Sequence, residues 1–123
     1  MQISEAESAV MEVLWREHPL GAEQVVAMLA GSRAWRGATI KTLLNRLLKK
    51  RAISATREGR RFLYSPVLRR EDWVREQSRS LVDRWFGGRV APLVAHFSEH
   101  RKLSNKDVAE LRKLLEGLDD DHR

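Results

Sequence analysis

Apolar residues recur at intervals of three and four through most of the chain, the spacing that gathers them on one face of an α-helix. The first run opens with Ser4-Glu5-Ala6-Glu7, the pattern of an N-terminal capping box. It is ended by His18-Pro19. The pattern predicts three helices in the first half of the chain, at about residues 4–17, 22–30 and 36–51, with Leu20 in a brief strand before the second.

Between Ile53 and Val67 the period of the pattern changes from helical spacing to two, which predicts β-structure. Glu58-Gly59-Arg60 is the expected turn of a two-stranded hairpin. A lone hairpin is marginally stable, so we expect it to pack on the helices. Three helices, the second and third joined by a short loop, followed by such a hairpin predict a winged helix-turn-helix.

Helical spacing returns after Arg69 and predicts three more helices, at 70–86, 89–100 and about 105–117, with Gly87-Gly88 as a break. Asp119-Asp120-Asp121 is interpreted as a frayed acidic tail. Short helices rich in Leu and Trp cannot enclose a core of their own, so we expect them to pair with a second copy of the chain. Folding back on the winged-helix core is the alternative. The expected dimerisation residues are Trp73, Leu81, Trp85, Leu93, Phe97, Leu111, Leu114 and Leu118.

The predicted fold class is therefore mainly α with a small β wing. A winged-helix DNA-binding domain is expected at residues 1–68 and a three-helix dimerisation domain at 69–123. At 123 residues the chain is long enough for one domain or for one small domain with an appendage. No apolar run approaches the roughly 20 residues that span a bilayer, and no leader pattern opens the chain, so membrane insertion is not expected.

Charge is concentrated in the middle of the chain. Residues 36–70 carry 11 basic groups and one acid, Glu58, whereas the whole chain has a formal net charge of +6. Such a confined basic segment is typical of a polyanion-binding surface. The absence of cysteine excludes disulfides, thiolate metal sites and cysteine nucleophiles, and it favours a cytoplasmic protein.

The third helix places Ile40, Leu43, Leu44, Leu47 and Leu48 on one face and an acid-free polar surface on the other. This predicts a DNA-recognition helix, with an ordinary basic surface helix as the alternative. Direct base readers are expected at Thr39, Thr42 and Arg46, or else these residues contact phosphates only. Phosphate contacts are expected at Lys41, Asn45, Lys49, Lys50 and, on the hairpin, Arg57, Arg60 and Arg61. Two alternatives to phosphate contact remain open. Lys50 could cap the C-terminus of the helix by its charge, and the hairpin tip could be a solvated turn.

No arrangement of nucleophile, base and acid, no Gly-rich phosphate loop and no metal triad is evident, so neither catalysis nor a cofactor is expected. His96 and His100 have a spacing that can bind a metal, but two ligands alone favour an ordinary pair of side chains. A winged-helix module that binds protein as a scaffold is the alternative to a DNA-binding repressor.

Four segments resemble the penicillinase-repressor family, which includes BlaI, MecI and the copper-responsive CopY repressors. They are Ile3-Ser4-Glu5-Ala6-Glu7, Val10-Met11-Glu12-Val13-Leu14-Trp15, the string from Thr39 to Lys50, and Phe62-Leu63-Tyr64-Ser65-Pro66. Similarity in the later helices extends the resemblance over nearly the whole chain.

The resemblance implies a homodimeric repressor on a palindromic operator, of the type that controls β-lactam resistance or cell-wall stress genes. It also implies release through a membrane sensor-protease acting indirectly, with cleavage just before Phe97. His96 stands where staphylococcal members have Asn, which puts that switch in doubt and leaves release by a ligand open. The missing cysteines exclude copper sensing by thiolates.

Overall fold

A computed structural model describes residues 1–100 and 102–121 of the chain. In this described part it contains six helices and one three-stranded antiparallel sheet, which confirms the predicted mainly α fold with a small β wing. The elements, in chain order, are α1 (Glu5–Arg16), β1 (Leu20–Gly21), α2 (Ala22–Leu29), α3 (Gly37–Lys49), β2 (Ile53–Glu58), β3 (Arg61–Pro66), α4 (Arg70–Phe86), α5 (Val90–Glu99) and α6 (Asn105–Asp121).

The first compact unit of the chain spans Met1–Arg75 and contains the winged helix. Helices α1, α2 and α3 enclose its core because their apolar stripes face one another. The start of α1 is fixed by the predicted capping box: the Ser4 hydroxyl accepts from the Glu7 amide, and the Ser4 amide donates to the Glu7 carboxylate. The buried apolar side chains are Val10, Met11, Val13, Leu14, Leu20, Val25, Leu29, Ile40, Leu43, Leu44, Leu47, Ala52 and Ile53.

The sheet has the strand order β1-β3-β2, so the short strand predicted at Leu20 exists and lies against the wing. Its pairing with Tyr64 means that the hairpin is not isolated and gains a third strand. Glu58 pairs with Arg61, which leaves Gly59 and Arg60 as a two-residue loop. Gly59 has a φ of 63°, as the first central residue of a type II′ turn requires.

The first turn of α4 belongs to this winged-helix unit. Trp73 packs its ring 5.6 Å from that of Trp15, centroid to centroid, and the Trp15 indole donates to the Leu68 carbonyl at 2.8 Å. Arg70 reaches the Glu12 carboxylate at 3.3 Å. The compact division therefore falls inside α4, after Arg75, whereas the sequence placed a domain boundary after residue 68.

The second compact unit begins at Glu76 and comprises the rest of α4 with α5 and α6. Gly87 and Gly88 both have positive φ, so they form the predicted break between α4 and α5. The Ser104 hydroxyl accepts from the Asp107 amide at 3.0 Å and opens α6. None of the residues of α4, α5 or α6 is buried.

The prediction of a frayed tail at Asp119–Asp121 was wrong, because α6 continues through Asp121. The apolar stripe ends at Leu118, but nothing in the next residues breaks a helix, and backbone hydrogen bonds continue beyond the last apolar contact. Among the described residues, no helix is long and apolar enough to cross a membrane.

Candidate nucleic-acid interface

Helix α3 forms the centre of the candidate interface. Gly37 starts it after the extended residue Arg36, and its buried stripe of Ile40, Leu43, Leu44 and Leu47 packs into the core of the first unit. This packing fixes the rotation of the helix about its axis, because turning it would expose four large apolar side chains. The opposite surface of α3 must therefore face solvent.

The exposed surface of α3 is formed by Ala38, Thr39, Lys41, Thr42, Asn45, Arg46 and Lys49. At 3.6 residues per turn, Ala38, Asn45, Lys49 and Thr42 lie at its middle. Thr39 and Arg46 lie along one edge and Lys41 along the other. Asn45, which was predicted to contact phosphate, therefore lies more centrally on the exposed surface than the predicted base readers Thr39 and Arg46.

The chemistry of this surface is uniform in sign, since α3 contains no Asp or Glu. The Thr42 hydroxyl donates to the Ala38 carbonyl at 3.0 Å, four residues earlier. That bond restrains the Thr42 side chain. Asn45, Arg46 and Lys49 carry no hydrogen bond or ion pair to other side chains in the described part of the chain, so their polar groups are available to a ligand.

A cavity of about 270 Å³ lies beside the Lys41 edge of α3. Its walls combine the start of α2, at Gly21, Glu23 and Gln24, with Lys41 of α3 and Arg61 of the wing. A Cβ atom added at Gly21 would lie 3.7 Å from the Arg61 Nη1 atom, so the glycine backbone and the guanidinium are close neighbours. Within the described residues neither Lys41 nor Arg61 is paired with an acid, so both cations are available to an anion, although Glu23 also lines the cavity.

The wing carries the other predicted cations at its tip. The Arg57 Nε donates to the Gly59 carbonyl at 3.2 Å and braces the turn, and Arg60 and Arg61 are exposed. Phe62, beside them, is half-exposed and also lines the cavity. The structure thus joins Arg61 to Lys41 at one cavity and leaves Arg57 and Arg60 at the turn.

Lys50 differs from the other predicted cations. Its ammonium lies 2.6 Å from the Glu7 Oε1 atom and 2.9 Å from the Gln2 carbonyl oxygen, so its partners belong to the N-terminal segment. It follows that Lys50 is already paired within the chain, unlike Lys49 beside it.

The loop before α3 holds residues that sequence reasoning treated as plain connection. The Arg33 guanidinium lies 4.8 Å from the centre of the Trp35 ring, and the half-buried Trp35 packs against the core. The available signal was a Trp between two Arg residues directly before the basic helix. Gln24, at the start of α2, was likewise missing from the predicted interface.

The predicted dimerisation residues are distributed unevenly. Trp73 already packs on Trp15 in the first unit. Leu93 and Leu111 are half-buried, whereas Leu81, Trp85, Phe97, Leu114 and Leu118 are exposed, with Trp85 at 73% and Leu114 at 65%. These exposed apolar residues leave the second unit with uncovered apolar surface.

His96 and Phe97 lie in the last turn of α5, and both are exposed. The His96 ring is 4.6 Å from the His100 ring and 5.7 Å from that of Phe97, centroid to centroid. Within the described residues, no group of three or more His, Asp or Glu side chains is arranged to hold a metal ion.

Comparison with known proteins decides the family. Residues 3–117 match the model of a family described as penicillinase repressor. The chain belongs to the penicillinase repressor family. This family consists of transcriptional repressors rather than enzymes.

A curated penicillinase repressor from Bacillus licheniformis is 36% identical over 115 residues, which cover 94% of this chain and 90% of that protein. Two solved structures resemble the winged-helix part of this penicillinase-repressor chain. The DNA-binding domain of the repressor BlaI is 39% identical with a TM-score of 0.54, covering 58% of this chain and 87% of that one. Monomeric B. licheniformis BlaI in complex with the blaP half-operator is 39% identical with a TM-score of 0.52, covering 58% and 88%.

Proposed function

We propose that this chain is a homodimeric transcriptional repressor whose winged helix binds a palindromic DNA operator. The observation that carries the proposal is the acid-free exposed surface of α3 in a member of the penicillinase repressor family. Beside this surface, Lys41 of α3 and Arg61 of the wing line the same cavity. The similar BlaI chain that was solved with a half-operator supports DNA as the ligand. A protein-binding scaffold would not need eleven basic groups between residues 36 and 70.

Base reading is assigned to the exposed surface of α3, which enters the major groove. Arg46 can donate two hydrogen bonds to a guanine, and the methyl groups of Thr39 and Thr42 can contact thymine. The central position of Asn45 adds it to the proposed readers, because an Asn amide can bond two atoms of an adenine edge.

Backbone contacts are assigned to the cations around this surface. Lys41 and Arg61 are proposed to hold one phosphate at the cavity beside Gly21, where no Cβ blocks the approach. Lys49, Arg57 and Arg60 are proposed to bind further phosphates on either side. Lys50 is left out, since its ammonium is already paired with Glu7.

Dimerisation is assigned to the second unit. The apolar side chains of α4, α5 and α6 remain exposed in a single chain, and burial against the same surface of a second copy removes them from water. A symmetric dimer would place two α3 helices about 34 Å apart, in successive major grooves. The proposed targets are β-lactam resistance or cell-wall stress genes, as the family suggests. The chain is proposed to bind this DNA in the cytoplasm.

Release of the operator is proposed to act through the dimer, because each protomer alone holds one half-site. A membrane sensor-protease acting indirectly is one proposed source of release. The exposure of His96 and Phe97 is compatible with cleavage between them once the last turn of α5 opens. An inducer that binds the second unit is the other proposed source of release.

The test of this function begins with DNA selection. Purified chain is incubated with a pool of random duplexes, and bound duplexes are sequenced over several rounds. We expect enrichment of a palindrome whose half-sites are about one helical turn apart. Footprinting of the DNA upstream of the chain's own gene should protect the same palindrome. A pool without enrichment, together with an unprotected upstream region, would contradict the proposal.

Arg46→Ala then tests the reading surface, with Arg79→Ala on α4 as a control that also removes one exposed Arg. The Arg46 variant should lose about 1–3 kcal/mol on the selected duplex and relax the preference at one base pair. The control should bind as the wild type does. Equal weakening on selected and scrambled duplexes would assign Arg46 to the phosphates instead.

A further inference from the structure

Glu7 is the one charged or polar residue among the described residues that is buried, at 2% exposure. Its Oε1 atom accepts from the Ser4 amide at 3.1 Å and from the Lys50 ammonium at 2.6 Å. Its Oε2 atom is buried without a hydrogen-bond partner within the described chain. A buried carboxylate is costly unless it is paired, so Glu7 depends on Lys50.

The pairing joins two segments that are distant in sequence. Lys50 is the C-terminal cap of α3, and it also donates to the Gln2 carbonyl at 2.9 Å. One ammonium therefore holds the end of α3 to both the capping box of α1 and the segment before it. We call these three residues, Gln2, Glu7 and Lys50, the N-terminal clasp.

The backbone directly after the clasp leaves the helical conformation. Arg51 has a φ of 61°, a left-handed conformation that favours glycine over arginine. The Arg51 and Ala52 amides donate to the Leu48 and Leu47 carbonyls at 3.0 Å and close α3, and the Ala52 carbonyl then receives the Val67 and Leu68 amides after the wing. The end of α3 is thus the point from which both basic elements of the interface are placed.

We propose that Glu7 and Lys50 are positioning residues, which set α3 against α1 so that its exposed surface meets base edges. This inference rests on the proposed DNA binding and gives Lys50 a role other than the phosphate contact expected from sequence. Base readout depends on placement to within about 0.5 Å, whereas phosphate contacts tolerate small shifts. Loss of the clasp should therefore reduce specificity more than general affinity for DNA.

The experiment uses full-length chain, the duplex selected by wild type and a scrambled duplex of equal length. Glu7→Gln keeps the capping box, because Gln also fills that position, but it removes the ion pair. The double variant Glu7→Gln with Lys50→Met leaves no unpaired buried charge and retains the apolar stem, so it should fold. For both variants we expect the ratio of selected to scrambled affinity to fall about tenfold, the size of one weakened base contact.

The salt dependence of binding to the scrambled duplex separates positioning from phosphate contact. The matched control Lys49→Met removes a neighbouring, unpaired cation, and it should lower the slope of log affinity against log salt by about 0.9. The double clasp variant should leave that slope unchanged. Lys50→Arg, which keeps a cation of similar reach, should retain the wild-type ratio.

Amide hydrogen exchange without DNA tests the clasp independently of the proposed function. In Glu7→Gln, the amides of Lys50, Arg51 and Ala52 should exchange about tenfold faster, while those in the middle of α3 stay protected. Unchanged exchange at these amides, an unchanged affinity ratio, or a slope reduced as in Lys49→Met would each overturn the proposal. Failure of the wild type to select any duplex would instead contradict DNA binding and leave the exchange result to decide the clasp.

Discussion

In residues 1–75 thirteen apolar side chains are buried, whereas none of the residues of α5 and α6 is buried and Trp85, Leu114 and Leu115 are more than half exposed. Both units are largely helical and both have amphipathic stripes. They differ in how completely a single chain covers these stripes, since Leu93 and Leu111 of the second unit are only half-buried. The first unit has a core of its own, and the second has apolar surface that a single chain leaves in contact with water.

The two units also expose different chemistry. The exposed surface of α3 carries cations and short polar groups without an acid, so it suits a polyanion. The exposed stripe of α6 carries Leu114, Leu115 and Leu118, so it suits an apolar partner. This difference fits the proposed division of work, with DNA recognition in the first unit and dimerisation in the second.

The largest expected effect comes from charging the stripe of α6. Leu114→Asp with Leu118→Asp should abolish the dimer, because two carboxylates would have to be buried in an apolar contact. Affinity for the selected palindrome should then fall by about 10²–10⁴-fold, since the second half-site no longer adds to the first. Sedimentation velocity and binding titrations measure both effects.

Ala109→Asp is the matched control, because Ala109 is exposed on the opposite side of α6. It should leave the dimer and its affinity intact. A doubly charged variant that stays dimeric would show that α6 does not contribute to the interface, and the proposed division of work would fail.

The next largest effect distinguishes the two kinds of leucine. Leu47 is 0% exposed in the winged-helix core, so Leu47→Ala should cost about 2–5 kcal/mol of unfolding free energy at any protein concentration. Leu115→Ala should destabilise only through the dimer, and its effect should change with concentration. Urea unfolding at two concentrations at least a hundredfold apart makes the comparison. Equal concentration dependence for both variants would contradict the proposed difference between the two units.

Most of the fold follows from sequence because its signals are local. The helical spacing, the Ser4–Glu7 capping box and the change of period at Ile53 each depend on neighbouring residues, and each appears in the structure close to the expected position. The end of α6 was placed too early because the acidic residues after Leu118 lack an apolar pattern, although they continue the helix.

The site was less predictable because its decisive contacts are long-range. Sequence assigned Lys50 to phosphate, with a charge cap on the helix as the alternative, since it stands beside Lys49 in a basic run. Only the fold brings Glu7 within 2.6 Å of it. The cavity that joins Lys41 to Arg61 depends in the same way on the packing of α2, α3 and the wing. A pattern along one helix shows which residues are exposed, but not which distant residue pairs with them.

A smaller effect is expected at the tip of the wing. Gly59 has a φ of 63° in a two-residue loop, so Gly59→Ala should cost about 1 kcal/mol of unfolding free energy through backbone strain. Thermal unfolding measures that cost. Gly31→Ala is the control, since Gly31 has no positive φ and open space around it. A Gly59 variant as stable as wild type would show that the turn relaxes to another type.

The smallest expected effect is a loss of stability of the first unit at acidic pH. Burial, the largest influence, raises the pKa of Glu7, but hydrogen bonds from Lys50 and Ser4 and the charge of Lys50 outweigh it and hold the pKa below its ordinary value of 4.5. A carboxyl whose pKa is lower in the folded chain contributes stability above its unfolded pKa, and that stability is lost as pH falls through the folded pKa. Wild type should therefore lose more stability than Glu7→Gln below about pH 4.5, whereas Glu116→Gln, which removes an exposed carboxyl of α6, should follow wild type. Parallel curves of unfolding free energy against pH for wild type and Glu7→Gln would mean that Glu7 is ionised no more readily in the folded chain than in the unfolded one.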